Sequence, residues 1–300
     1  MEAVTKDSVE VHRVLDASES APLLRAGRPW TIGQIALLMT ALALLALALV
    51  PMGLMVILSL KSTVQIYGSF WTLPNPIEWS NYSRAFQLLA RNIFNSTFLV
   101  LTSMLLTVIM SGMGGYVFSW LKFPGRKTLY VMVLSMMMIP AILTLTPRYV
   151  LILDLHLKNS WWALILPWVS GGQVFGILLC RTFMAEQPAS LFESARIDGA
   201  SEWQSFWKIA VPLSRPILVT VGVLQIIAFY NDFVWPLLVI DSNSLQVVTV
   251  AIRVFQSVTG TTDIGTMVAG FAVTTIPLFL VFVFGSRYYI EGITSGAIKT

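Results

Sequence analysis

The chain is poor in the side chains that build metal centres and nucleophilic active sites. In 300 residues it has one cysteine and two histidines, and only 11% of its positions are charged. A single thiol, Cys180, forms no internal disulfide, and its place at the end of an apolar run points to packing. His156 is the one histidine outside the N-terminal stretch, so a metal site of clustered histidine and cysteine is not expected. No Gly-x-x-x-x-Gly-Lys-Ser/Thr phosphate loop is present, and the chain is therefore expected neither to bind nor to hydrolyse ATP. No His-Glu-x-x-His or Gly-x-Ser-x-Gly arrangement occurs, which speaks against an intramembrane hydrolase.

What the chain has instead is apolar length. Hydrophobic residues make up 56% of it and the mean hydropathy is +0.76, outside the range of ordinary soluble domains. Five charge-free stretches are each long enough to cross a bilayer: Pro29 to Leu60, Asn92 to Leu121, Thr128 to Pro147, Asn159 to Cys180 and Ile264 to Ser286. A sixth, Pro216 to Ile240, is interrupted only by Asp232. A helix satisfies its own backbone hydrogen bonds where water is absent, so the expected fold is all-α: a polytopic membrane protein of six transmembrane helices. The reading divides the chain into a polar tail at 1–28, a membrane domain at 29–286 and a second tail at 287–300. The first apolar run is too long for a signal peptide, so the N-terminal tail is read as retained.

Basic residues set the orientation. Thirteen of the nineteen lysines and arginines fall on the side of the two tails, the Lys122–Lys127 turn and the loop 181–216, and six on the other. Since basic residues near spans are held in the cytoplasm, both termini and that loop are expected inside. The same asymmetry accounts for the net charge of +4, which is then no argument for a nucleic-acid partner. In the second span Ser111, Gly115 and Ser119 recur every four residues, a stripe suited to close helix packing. Pro51, Pro140, Pro167 and Pro277 lie inside apolar runs, where each removes a backbone hydrogen bond and favours a kink.

The polar loop 181–216 predicts two short helices. Ser190 and Glu193 have the spacing of a capping box, Gly199 suits the left-handed residue past a helix end, and Ser201 with Gln204 repeats the box. Pro212 is expected to end the second helix. On the first, Leu191, Phe192 and Ala195 are expected to share one side and form a small amphipathic peg fit for a groove on a partner. Local chemistry also allows a plain solvated connector in which Glu193 only caps a helix.

Longer spacing speaks for more than a connector. Glu193-Ser194-Ala195, three residues, Gly199, nine residues, then Ile209-Ala210-Val211-Pro212 resembles the EAA loop of permease subunits of ABC importers, with Ser194 and Val211 as the departures. Phe123 to Arg126, Met138 to Pro140, Trp161 to Pro167, Arg196 to Ala200 and Asn231 to Pro236 are similar to the carbohydrate branch, the maltose-permease type. So is Arg287 to Lys299, with Gly292, Thr294, Gly296, Ala297 and Lys299. Within that branch the chain resembles most the second permease subunit of an alginate importer.

The resemblance implies a bacterial inner-membrane subunit working beside a second permease as a heterodimer, a dimer of ATPase subunits and a periplasmic or extracellular solute-binding protein, with an oligosaccharide as cargo. ATP and Mg would be bound by the ATPase, and no cofactor by this chain. Glu193, Ser194, Ala195, Asp198, Gly199, Ile209 and Pro212 would couple to the ATPase, with Gly296, Ala297 and Lys299 touching it from the tail. The other permease would supply most sugar contacts. Asp232 stays open: with Asn231 it would line the pathway, or it would accept hydrogen bonds structurally. The rival reading is a secondary transporter driven by an ion gradient, for which Asp232 is the one midplane ionisable group and no internal repeat is visible.

Overall fold

The computed structural model describes residues 31–253, 255 and 263–294. The expected tail at 1–28 and the motif residues Gly296, Ala297 and Lys299 lie outside them. The regular structure among the described residues is all helical: α1 (Ile32–Ser59), α2 (Thr63–Gly68), α3 (Ser80–Trp120), α4 (Arg126–Ser135), α5 (Leu145–Asp154) and α6 (Trp162–Met184) come first. They are followed by α7 (Ala189–Ile197), α8 (Glu202–Leu213), α9 (Arg215–Tyr230), α10 (Val234–Val239), α11 (Val248–Ala251) and α12 (Ile264–Thr294). The chain divides into two compact units, residues 1–53 and 54–300, with the boundary inside α1. In the first, the side chains of Ile32–Gly53 are all solvent-facing, Leu37 and Leu47 at 73% and 74%, so their apolar surface is not covered within the unit.

Among the described residues four helices, α1, α3, α6 and the Ile264–Gly285 part of α12, are long and apolar enough to cross a membrane, and the number is up to six if each of two bent pairs is one span. The first pair is the expected third span. It breaks between Met138 and Ala141 with a bend of 93°. Ile139 is extended there (φ −84°, ψ 114°), as a residue before proline must be, and Pro140 cannot donate to the preceding turn. By contrast α1, α6 and α12 run on through Pro51, Pro167 and Pro277. The expected fifth span is also divided: α9 stops at Tyr230 and the short α10 begins at Val234.

The second span begins twelve residues before the charge-free run, because Arg84 and Arg91 sit on the helix rather than in a loop. With 41 residues α3 is about 60 Å long, twice the roughly 30 Å hydrocarbon core, so it extends well past one membrane face. Its small-residue stripe packs against α6 as expected. A methyl group at Gly115 would stand 2.5 Å from Cys180 Cβ, and Ser119 Oγ donates to the Arg181 carbonyl at 3.0 Å. That closeness is what the stripe is for.

Polar side chains tie down the end of the unit opposite the 185–214 loop. Lys61 is fully buried and its Nζ donates to the carbonyls of Ser69 (2.7 Å) and Phe70 (3.0 Å) and to Thr72 Oγ1 (3.3 Å). Asn92 Nδ2 and Asn95 Nδ2 donate to the Gln246 carbonyl at 3.0 and 3.1 Å, and Asn95 also to that of Ser244 at 2.9 Å. These bonds satisfy loop carbonyls that would otherwise be buried without a donor. Asp263 accepts from Arg84, Thr63 and Thr266, joining α3, α2 and the start of α12.

Candidate functional site

The loop between α6 and α9 folds into the two short helices expected, with one local correction. Ser190 does not cap α7. The helix starts at Ala189 behind Pro188, which is already extended (φ −60°, ψ 122°) and offers no side-chain cap, so Ser190 lies inside the first turn. Its carbonyl instead accepts the Ser194 hydroxyl at 2.9 Å. The box predicted between Ser190 and Glu193 is therefore absent.

The far end of α7 follows the sequence. Gly199 takes φ +79°, Gly199 N donates to Arg196 O at 3.1 Å and Ala200 N to Ala195 O at 2.9 Å. These two bonds are a Schellman cap, which closes the last carbonyls of the helix. Ser201 and Gln204 form the reciprocal box at 3.3 and 2.9 Å and start α8. Pro212 acts earlier than expected. Lacking an N–H, it cannot bond back to Lys208, and the turn Phe206–Ala210 widens into a π-helix before α8 ends at Leu213. A 78° bend then leads into α9.

Burial sorts the residues of α7 differently from the expected peg. Phe192 and Ala195 are buried, and Phe192 joins Tyr116, Cys180, Met184, Phe206 and Ala210 in one apolar cluster, with Ile209 packed against it. Leu191 is 42% exposed and does not share their side. The outward face carries Leu191, Glu193, Ser194, Ile197, Asp198 and Gly199, all exposed, with Trp203 and Trp207 exposed on α8. The apolar side of the peg is thus used within the chain, and what faces outward is a mixed surface with acidic groups at its centre.

Two residues of α3 that the sequence did not single out hold this loop. Trp120 stacks on Phe192 at 4.1 Å between ring centroids. The Tyr116 hydroxyl donates to Glu202 Oε2 at 2.6 Å, while Arg196 Nε donates to Glu202 Oε1 at 3.0 Å. Burial by itself would raise the Glu202 carboxyl, but the bonds from Tyr116 and Arg196 outweigh it and hold the group below the usual carboxylate range. The bond to Glu202 in turn keeps Arg196 above its ordinary value. No spacing pattern flags Tyr116 or Glu202, which lie 86 positions apart.

Asn231 and Asp232 are at the other end of α9, about 24 Å away along its 16 residues. Asn231 is exposed and its side-chain amide donates to the Ile227 carbonyl at 2.8 Å. Asp232 Oδ2 accepts the indole N–H of Trp168 at 2.7 Å, and Oδ1 the backbone N–H of Trp235 at 3.4 Å. Trp168 also stacks on Phe229 at 5.4 Å. Among the described residues no group of three or more His, Cys, Asp or Glu is placed to hold a metal ion.

Residues 111–293 match the family described as the inner membrane component of binding-protein-dependent transport systems. The trehalose transport system permease protein of Mycobacterium tuberculosis is 31% identical over 84% of this chain and 93% of its own length. The arabinooligosaccharides transport system permease protein of Bacillus subtilis is 29% identical over 92% of this chain and all of its own. Among solved structures, a bacterial ABC transporter involved in the import of the acidic polysaccharide alginate matches in fold, with a TM-score of 0.76 and 21% identity over 88% of this chain and 100% of that one. The coverage runs through α3 to α12 and includes the 185–214 loop, and the chain belongs to the family of inner membrane components of binding-protein-dependent transport systems.

Proposed function

We propose that this chain is one of two permease subunits of an ATP-driven carbohydrate importer, and that α7 is the helix through which a separate ATPase drives it. The observation that carries this reading is the division of the loop. Phe192 and Ile209 lock it to the spans, while Glu193, Ser194, Asp198 and Gly199 are left facing outward on a rigid turn. A helix so built presents a fixed surface to a partner and passes displacement to the bundle. In this reading ATP and Mg would be bound by the partner ATPase and no cofactor by this chain, which the motif spacing and the lack of a phosphate loop in the sequence support. Gly296, Ala297 and Lys299 are proposed as a second contact to that ATPase. The remaining partners are a second, non-identical permease and an external solute-binding protein.

The cargo is an oligosaccharide in this reading, supported by relatives named for arabinooligosaccharides and trehalose, and alginate fragments are the first to try because of the fold match. In membrane vesicles loaded with the whole complex, oligosaccharide uptake in the presence of binding protein is expected to need internal ATP and to survive dissipation of ion gradients. Uptake that follows an ion gradient without ATP would favour the secondary transporter instead.

The orientation proposed from the basic residues puts the loop and both termini in the cytoplasm. Cysteines introduced at Ser194 and Lys122, both exposed, should resist a membrane-impermeant maleimide in intact cells, and one at the exposed Tyr67 should react. Cys180 is fully buried and adds little background. Labelling of Ser194→Cys from outside would invert the topology and remove the coupling argument.

A further inference from the structure

We propose that Glu202 is the positioning residue that makes α3 the transmission rod of this permease, and that Tyr116 is its anchor on the rod. The inference rests on the reading of α7 as the driven helix and goes beyond it by naming the link. Glu202 touches three elements at once: it belongs to α8, accepts from Arg196 of α7 at 3.0 Å, and accepts from Tyr116 of α3 at 2.6 Å. Besides it, α7 and α8 are joined by the apolar cluster that holds Phe192 and Phe206 and by the turn around Gly199, where a glycine at positive φ resists hinging poorly. Stacking of Phe192 on Trp120 also joins loop and rod, but ring faces slide over one another, whereas a short bond to a charged oxygen fixes direction. The ion pair with Arg196 is too solvated to carry much on its own, at 38% and 44% side-chain exposure. The Tyr116 bond is therefore the part that transmits.

The rod has a clamp at its other end. Asn92 and Asn95, on the same helix as Tyr116, grip the carbonyls of Ser244 and Gln246. From Tyr116 to Asn92 is 24 residues of unbroken helix, about 36 Å. Displacement of α7 is thereby delivered to the segment 243–246 at the opposite end. A contiguous path becomes a coupling claim only when breaking it changes the coupling.

The test uses the complete importer with its ATPase and binding protein, comparing native protein with Tyr116→Phe, Glu202→Ala and the double variant. Tyr116→Phe keeps the ring against Phe206 and Phe192 and removes one hydroxyl. Uptake per ATP hydrolysed is expected to fall about fivefold or more in each single variant, with no further loss in the double, at an unchanged amount of assembled complex. Spin labels on Ser194→Cys and Lys122→Cys should keep one separation with and without trapped nucleotide in native protein and acquire a second in Glu202→Ala. Native uptake per ATP in both single variants would overturn the proposal. So would loss of assembled complex in Tyr116→Phe, which would assign the bond to folding. If native protein itself shows no ATP-dependent uptake, the driven-helix reading fails rather than the link.

Discussion

Replacing Gly199 by valine is expected to leave an inserted, assembled permease whose ATPase no longer responds to substrate-loaded binding protein. A Cβ at this position meets no atom within 4 Å, so its cost is not a clash. It comes from the backbone: φ is +79°, a region that β-branched residues avoid, at about 1 to 3 kcal/mol. The chain relieves that strain by rotating out of the left-handed turn. The two Schellman bonds to Arg196 O and Ala195 O are then lost, and α8 is reoriented relative to α7. Glu193→Lys tests the same surface without strain, since Glu193 is exposed and reversal of its charge alters what the partner meets. Stimulated ATPase activity in the reconstituted complex should drop about tenfold or more for each, with normal assembly. Normal stimulation in both variants would reduce α7 to a connector.

Asp232→Leu is expected to lower the yield of assembled complex several-fold, with Asp232→Asn close to native. The carboxylate accepts from two donors, the Trp168 indole at 2.7 Å and the Trp235 amide at 3.4 Å. Leucine offers neither an acceptor, and each partly buried donor left unpaired costs about 1 to 3 kcal/mol. The consequence reaches three elements, because Trp168 belongs to α6, stacks on Phe229 of α9, and Asp232 starts the turn into α10. Asparagine retains one acceptor oxygen, enough for the shorter bond. Yield is read by detergent extraction and co-purification with the ATPase. Loss of uptake in Asp232→Asn with full assembly would give the carboxylate a charge-dependent part in transport, alongside its bonds to tryptophan.

The features legible in the sequence are those whose physics is confined to a few residues or to one period. Apolar runs marked α1, α3, α6 and α12, the four helices long and apolar enough to cross a membrane, because burial in lipid demands continuous length. Ser111, Gly115 and Ser119 announced a close seam because small side chains at a four-residue repeat face one way. Gly199 and the Ser201–Gln204 box fixed a turn and a helix start through bonds spanning three or four positions. Spacing from Glu193 to Pro212 carried the family.

Tertiary structure decided whatever depended on a partner distant in the chain. The extension of α3 back to Ser80 carries Arg84 to Asp263, 179 positions away, a pairing that a hydropathy run cannot register. Which side of α7 turns inward was settled by Trp120 and Tyr116, which take Phe192 and leave Leu191 outside, although both neighbours are equally apolar. Ser190 lost its cap because the helix starts two residues sooner, behind Pro188. Asp232 became an acceptor for Trp168, and Glu202 the junction of three helices, by contacts across 64 and 86 positions. Periodicity and capping act along the backbone within a turn of helix, whereas the choice among chemically equivalent side chains is made by packing, which no local pattern encodes.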